Sequence, residues 1–225
     1  MNLIKTLCAT SALTFLAACG GGGGSGDDNN VGVKPKPNPN PTAPTTSCSA
    51  AGIAASTASP AANTVCMLTS KGEIVIELET AKAPITVANF LKYVQDGYYS
   101  NTIFHRVVPN FVVQGGGFTT GFVGKPGVGA AIKLESNIGL SNVRGTIAMA
   151  RTAAADSATS QFYFNTVNNT GLDYKSAAEP GYAVFGRVIS GLGTVDAINA
   201  EPQLPIANAD TPATEVLLYW AIKLK

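Results

Sequence analysis

Apolar and polar positions begin to alternate with a two-residue period only near Asn63. Residues 65–68, the turn Ser70-Lys71-Gly72 and residues 74–78 read as a β-hairpin. Ile74, Ile76 and Leu78 fall on one face of it and Glu73, Glu77 and Glu79 on the other, which predicts a buried face and a solvated acidic one. The period then lengthens. Pro84 opens a helix, Val87, Phe90, Leu91 and Val94 follow at helical spacing, and Gly97 closes it. Short strands are predicted over 103–108, 111–114, 146–150, 161–165 and 183–189, a second helix over 193–199, and a final apolar strand over 215–224. Many short strands with two separated helices predict an all-β barrel or sandwich with helical caps.

Upstream of that domain the pattern fails. Residues 20–47 contain the run Gly20-Gly21-Gly22-Gly23-Gly24, the polar Asp27-Asp28-Asn29-Asn30, and proline at every second position from Pro35 to Pro41. Alternating proline forbids ladder hydrogen bonds and favours extended backbone. Residues 50–60 are small and Ser/Ala/Thr-rich and read as largely irregular. The first 18 residues have a short basic start and an apolar stretch of signal-peptide length. They end in Leu16-Ala17-Ala18-Cys19, which resembles the bacterial lipoprotein signal, where the Cys is lipidated after cleavage. The resulting division is a signal peptide over 1–18, a lipidated Cys19 and flexible tether over 19–62, and a globular domain over 63–225. Gly20 in place of Asp after the cysteine points to the outer membrane of a bacterial envelope, with the domain in the periplasm or at the surface. A plain secretory signal is the alternative. In such a compartment Cys48 and Cys66 either pair or remain free thiols.

Charge narrows the function classes. With 15 Lys and Arg against 14 Asp and Glu in 225 residues, the chain lacks the basic excess of a nucleic-acid binder. No apolar run is long enough for an ordinary membrane-spanning helix, so a membrane is reached through the lipid anchor only. His105 is the only histidine and no CxxC spacing occurs, which argues against zinc. Gly124-Lys125 lacks the upstream glycine and the Ser/Thr of a phosphate loop, and Gly191-Leu192-Gly193 lacks the third glycine of a dinucleotide fingerprint. No Gly-x-Ser-x-Gly elbow accompanies His105.

One stretch carries more specific information: Phe104-His105-Arg106-Val107-Val108-Pro109-Asn110-Phe111-Val112-Val113-Gln114-Gly115-Gly116. It is followed in order by Gly145-Thr146-Ile147-Ala148-Met149-Ala150-Arg151, Ser160-Gln161-Phe162-Tyr163-Phe164-Asn165 and Gly181-Tyr182-Ala183-Val184-Phe185-Gly186-Arg187-Val188. These four blocks resemble the cyclophilins, the peptidyl-prolyl cis-trans isomerases, most closely the bacterial exported branch. The resemblance implies an eight-stranded antiparallel β-barrel closed by two α-helices. It implies isomerisation of X-Pro bonds in proline-containing polypeptides, by a monomer, with no cofactor and no metal.

The same resemblance assigns roles. Arg106 becomes the donor that stabilises the twisted amide, and Gln114 binds substrate backbone and orients Arg106. Phe111, Val112, Phe162, Tyr163, Leu172 and Tyr182 become substrate-binding, and Ala150 and Arg151 offer backbone groups to the residues before the proline. His105 is implied to be structural. Three positions depart from the family pattern: Tyr163 where Phe is common, Gly171 where a Trp or another bulky residue is frequent, and Tyr182 where many members have His. Gly171 bears on cyclosporin affinity more than on isomerisation. A non-catalytic module that grips proline-containing segments, or a chaperone-like surface protein, is the competing class. Retention of both Arg106 and Gln114 favours the enzyme.

Overall fold

In the computed structural model, residues 34–205 and 210–225 are described. The expected signal peptide, Cys19 and the glycine run lie outside the described residues. The strands are β1 (Asn63–Thr69), β2 (Gly72–Leu78), β3 (Thr102–Ile103), β4 (Arg106–Val108), β5 (Val112–Gly115), β6 (Phe118–Thr119), β7 (Val123–Gly124), β8 (Thr146–Met149), β9 (Phe162–Asn165), β10 (Val184–Ser190) and β11 (Leu217–Lys223). The helices are α1 (Ala50–Ala58), α2 (Pro84–Gln95) and α3 (Leu192–Asn199). All strands join one antiparallel sheet in the order β4-β5-β9-β8-β10-β2-β1-β11-β3-β6-β7.

The eight-strand expectation is therefore corrected to an 11-stranded, curled sheet whose ladder is open, ending at β4 and at β7. Each expected strand is present, but the one over 103–108 is split, and the two-residue β6 and β7 had no visible period. The split has a packing cause. Strand side chains alternate between faces, yet Phe104 and Val107, three positions apart, both enter the interior core. The alternation slips by one residue between them. Ile103 and His105 lie on the outer side, where His105 meets the Phe118 ring at a centroid distance of 4.6 Å. After the slip, Arg106 and Val108 share the outer side. Phe104 and His105 are also the only link between β3, near one end of the ladder, and β4 at the other. This short link forces the sheet to curl around its core.

That core is aromatic. Phe90 of α2 meets Tyr99, Phe162 and Phe185 at centroid distances of 5.3, 5.8 and 5.0 Å, in tilted and edge-to-face arrangements that ring quadrupoles favour. Helix α2 follows the expected pattern, with Pro84 in its first turn and Val87, Phe90, Tyr93 and Val94 buried. Its free N-terminal amides are capped from afar: Glu135 accepts from the Thr86 N–H at 2.7 Å and from the Ile85 N–H at 3.2 Å.

Helix α1 replaces the expected irregular stretch, and it also changes the picture of β2. Ser49 is its N-cap, accepting from the Gly52 N–H at 3.1 Å. The Ser49 hydroxyl and N–H both donate to Glu73, at 2.7 and 2.8 Å. A Cβ at Gly52 would collide with the Glu73 carboxylate and the Cys48 sulfur, so only glycine allows this approach. Cys48 and Cys66 form a disulfide that ties α1 to β1. The acidic face of β2 is thus covered rather than solvated: Glu77 is 5% exposed, pairs with Arg187 and accepts from the Ser59 hydroxyl. Burial alone would raise its pKa, but the Ser59 and Arg187 hydrogen bonds more than offset that and hold it below the ordinary carboxylate value.

The described part of the expected tether, 34–62, also rests on the domain. The Lys36 N–H donates to the Ala213 carbonyl at 2.8 Å, and the Glu215 N–H donates to the Lys36 carbonyl at 2.9 Å. The Tyr219 hydroxyl reaches the Asn40 carbonyl, and the Trp220 indole reaches that of Thr45 at 2.7 Å. Prolines remove donors but leave carbonyls, and the contacts of Asn40 and Thr45 use carbonyls, while the intervening non-proline Lys36 supplies both its N–H and its carbonyl.

Two stability predictions follow from this packing. Cys48→Ser opens a loop closed across a sequence separation of 18. The loss of chain constraint is expected to cost about 2–4 kcal/mol in urea unfolding, with the sheet retained. His105 is buried, and desolvation holds its pKa down from 6.5 to about 4. Its folded value lies below its unfolded one, so the unfolded chain binds the extra proton between them. Stability should be complete above about pH 6.5 and fall by roughly 3 kcal/mol as pH drops towards 4. His105→Gln should flatten that loss in a pH series of melts; identical slopes would show that His105 is not held neutral.

Candidate active site

Residues directly opposite one another in neighbouring strands share a face of the sheet. Arg106 of β4 is opposite Gln114 of β5, Gln114 is opposite Tyr163 of β9, and Tyr163 is opposite Ala148 of β8. Ala148 in turn faces Val184 of β10. A single transverse row therefore crosses five strands on the outer face. It begins with a cation and a carboxamide and ends in apolar side chains.

Around this row lies a second apolar cluster, separate from the interior core: Val108, Val112, Ala148, Ala150, Tyr163, Leu172, Tyr182 and Val184, with Phe111 and Leu140 packed at its margin. Of the expected substrate-binding residues it gathers Phe111, Val112, Ala150, Tyr163, Leu172 and Tyr182. Phe162 does not join them. Being one residue from Tyr163, it points to the opposite face, where it is fully buried beside Phe90, Tyr99 and Phe104. Its assignment to substrate contact is corrected to a core role.

Phe111 is only partly buried and sits in the turn between β4 and β5, where its N–H donates to the Val108 carbonyl at 3.1 Å. Asn110 makes that turn with a φ of 55°, a left-handed conformation that Asn tolerates. The Phe111 carbonyl accepts from the Thr166 N–H at 3.0 Å and the Asn169 side chain at 2.8 Å, which fixes the turn to the end of β9. Tyr163 and Tyr182 meet edge-on at 6.0 Å. Arg151 stacks its guanidinium 4.6 Å from the Tyr182 ring centroid and donates from Nε to the Gly181 carbonyl at 2.9 Å. The Ala150 N–H is already engaged by the Gln161 carbonyl at 2.9 Å, so that donor is not the one offered to a ligand.

Tyr163 carries a hydroxyl that is satisfied away from the cluster. It donates to the Asn142 side-chain oxygen at 2.7 Å. Asn142 is held by Asp173 through two bonds of 2.7 and 2.9 Å, and Asn165 donates to it at 3.2 Å. Burial pushes the Tyr163 hydroxyl well above its usual pKa, so it stays protonated. Sequence reasoning missed Asn142, Asn165 and Asp173. Asn165 closes a motif block on β9 that implies no role for it, and Asn142 and Asp173 lie in loops with no period or motif to mark them. At Gly171, on a single 3-10 turn, an added Cβ would meet nothing within 4 Å.

Arg106 is partly exposed at the rim of the cluster. Gln114 is 5% exposed and donates to the Gln161 side chain at 2.9 Å. The group paired with Arg106 is instead Asp210, with Nη2 and Oδ2 at 2.9 Å. Arg106 Nη1 is buried without a hydrogen-bond partner among the described residues. His105, adjacent in sequence, faces Phe118 and Phe122 rather than the cluster. It is neutral at physiological pH, as burial requires. Of possible metal ligands, Cys48, Cys66 and Glu73 lie close together, but the two thiols are joined to each other. The site thus offers a packed apolar cluster, a cation held by Asp210 and ordered amides. Those parts suit binding and polarising an amide rather than attacking it.

Comparison with known proteins agrees with this chemistry. Residues 64–219 match the family described as cyclophilin type peptidyl-prolyl cis-trans isomerase/CLD. The chain is 52% identical over 136 residues to a peptidyl-prolyl cis-trans isomerase of Acinetobacter baylyi, covering 60% of this chain and 71% of that protein. It is 50% identical over 132 residues to peptidyl-prolyl cis-trans isomerase B of Escherichia coli, covering 58% of this chain and 80% of that one. Among solved structures, the cyclophilin type isomerase of Cryptosporidium parvum superposes with a TM-score of 0.60 at 24% identity, covering 72% of this chain and 96% of that chain. The chain belongs to the cyclophilin family and is a peptidyl-prolyl cis-trans isomerase, whose substrates are proline-containing polypeptides.

Proposed function

We propose that rotation is catalysed at the outer row of β4, β5 and β9, with Arg106 as the catalytic donor. The observation that carries this is the register Arg106–Gln114–Tyr163, which sets a cation beside a buried apolar recess. The barrier to rotation, roughly 18–20 kcal/mol for amides, comes from delocalisation of the nitrogen lone pair into the carbonyl. Twisting the bond localises that pair. A protein lowers the barrier by binding the twisted form better than either planar form.

In this reading the proline ring enters the recess formed by Val112, Tyr163 and Leu172, with Phe111 at the rim. The guanidinium of Arg106, always charged and planar, donates to the prolyl carbonyl and approaches the amide nitrogen as its lone pair localises. Gln114, held by Gln161, contacts substrate backbone. Ala150, Arg151 and Tyr182 flank the residues before the proline. No proton changes hands, in keeping with a buried neutral His105 and a Tyr163 hydroxyl that stays protonated.

We also propose that the enzyme works as a monomer on exported proteins, held to the bacterial envelope by lipid on Cys19, with the outer membrane favoured. The support is the Leu16-Ala17-Ala18-Cys19 ending and the glycine run after it. The Cys48–Cys66 disulfide suits an oxidising compartment.

Two measurements test these readings. Arg106→Ala is expected to lower kcat/KM for a proline tetrapeptide at least about a hundredfold with the fold intact, since one preorganised donor contributes about 2.7–4 kcal/mol. Activity within about threefold of wild type would remove Arg106 from its role. Cys19→Ser is expected to abolish incorporation of radiolabelled palmitate and leave the leader uncleaved. Wild-type protein that takes up no label and fractionates as soluble would replace the anchored enzyme with a secreted one.

A further inference from the structure

Arg106 is held by a residue that its own sheet does not supply. β4 ends the ladder, so backbone donors on its outer edge need partners from elsewhere. The Val107 N–H finds the Asp210 carbonyl at 2.6 Å. The carboxylate of the same residue pairs with Arg106 Nη2 at 2.9 Å. Asp210 is therefore fastened through backbone and side chain to two consecutive residues of β4. The segment bearing it is pinned in turn: the Leu204 N–H donates to the Thr211 carbonyl at 2.9 Å, and the Ala213 N–H to the Pro202 carbonyl at 2.6 Å.

Gln114, implied by family resemblance to orient the arginine, is bonded to Gln161 instead. The guanidinium is a rigid plane, so holding one terminal nitrogen fixes the direction of the others. Asp210 holds Nη2, and Nη1 is left buried with no partner among the described residues. A buried unpaired donor is costly unless something uses it. The cost is tolerated where the rest of the guanidinium, which is partly exposed, must be held in one place.

We propose that Asp210 is a positioning residue for catalysis: it clamps Arg106 through Nη2 so that the guanidinium meets the twisted amide in one fixed orientation. This rests on the reading of Arg106 as the catalytic donor. The pair is too exposed, at 26% and 42% of the two side chains, to contribute much to stability. Its effect lies in orientation, where small misplacements of a catalytic group cost rate steeply.

The test uses the full chain in the tetrapeptide assay, with kcat and KM determined separately. Asp210→Ala is expected to lower kcat about tenfold with KM within about twofold, because the donor acts in the twisted state rather than in ground-state binding. Asp210→Asn keeps an acceptor oxygen and should recover part of the loss. Melting temperature should not change, since the Val107 bond uses backbone. Nitrogen NMR of the Arg106 side chain should show slowed guanidinium rotation in wild type and averaging in Asp210→Ala. Wild-type kcat in Asp210→Ala, alongside a collapse in Arg106→Ala, would overturn the positioning role and leave the catalytic assignment standing. A higher kcat would overturn it too, by making the carboxylate a competitor for the donor. Retained activity in Arg106→Ala would remove the catalytic assignment first, and this inference with it.

Discussion

The structure depends on burying both faces of the same four strands. On β4, β5, β9 and β8, one set of side chains, Val107, Val113, Phe162, Phe164, Ile147 and Met149, fills the interior. The set between them, Val108, Val112, Tyr163 and Ala148, builds the outer recess. Strand pleating separates the two sets, and interior packing holds the outer one. The outer cluster is therefore a by-product of the core's own geometry. Its shape cannot relax without moving rings such as Phe90, Phe162 and Phe164. For the proposed mechanism, in which one amide geometry is gripped better than another, a stiff wall is the useful property.

Arg106 reaches that wall through an irregularity. A regular strand from Phe104 would have sent Arg106 inward, into an aromatic core where an unpaired guanidinium is untenable. The slip at His105–Arg106 turns it outward and puts it in line with Gln114 and Tyr163. His105 fills the outer side at the slip, against Phe118 and Phe122, and burial keeps it neutral there. The charges at the edge of the cluster are then the Arg106 guanidinium with its Asp210 partner and the Arg151 guanidinium over Tyr182.

The N-terminal segment shows how small residues acquire structure from their surroundings. Residues 50–58 have no amphipathic stripe to dock a helix by apolar burial alone. Helix α1 is held by a Ser49 cap, the Glu73 carboxylate and the Cys48–Cys66 link. Those contacts cover the acidic face of β2 and bury Glu77 against Ser59 and Arg187. The contacts of Lys36, Asn40 and Thr45 carry the chain along β11 before α1.

The sequence by itself determined the period-two strands and the helix begun by Pro84, and it singled out Arg106, Gln114, Val112 and Tyr163, which the structure gathers on one face of the sheet. Local alternation and ordered motif blocks carry that information, because neighbours on one strand share a face by geometry alone. Tertiary structure decided the rest. Phe162 and Tyr163 are adjacent letters of one motif, and only the direction of the β9 pleat assigns the first to the core and the second to the recess. The covering of Glu73 and Glu77 depended on a helix with no periodic signal. The split at Phe104 and His105 depended on two interior demands three residues apart. Asp210 sits in a stretch of mixed character with no period, and its meeting with Arg106 is made by contacts between distant segments. Contacts between distant segments depend on where the sheet's curl brings its edges, and no local pattern of side chains encodes that meeting.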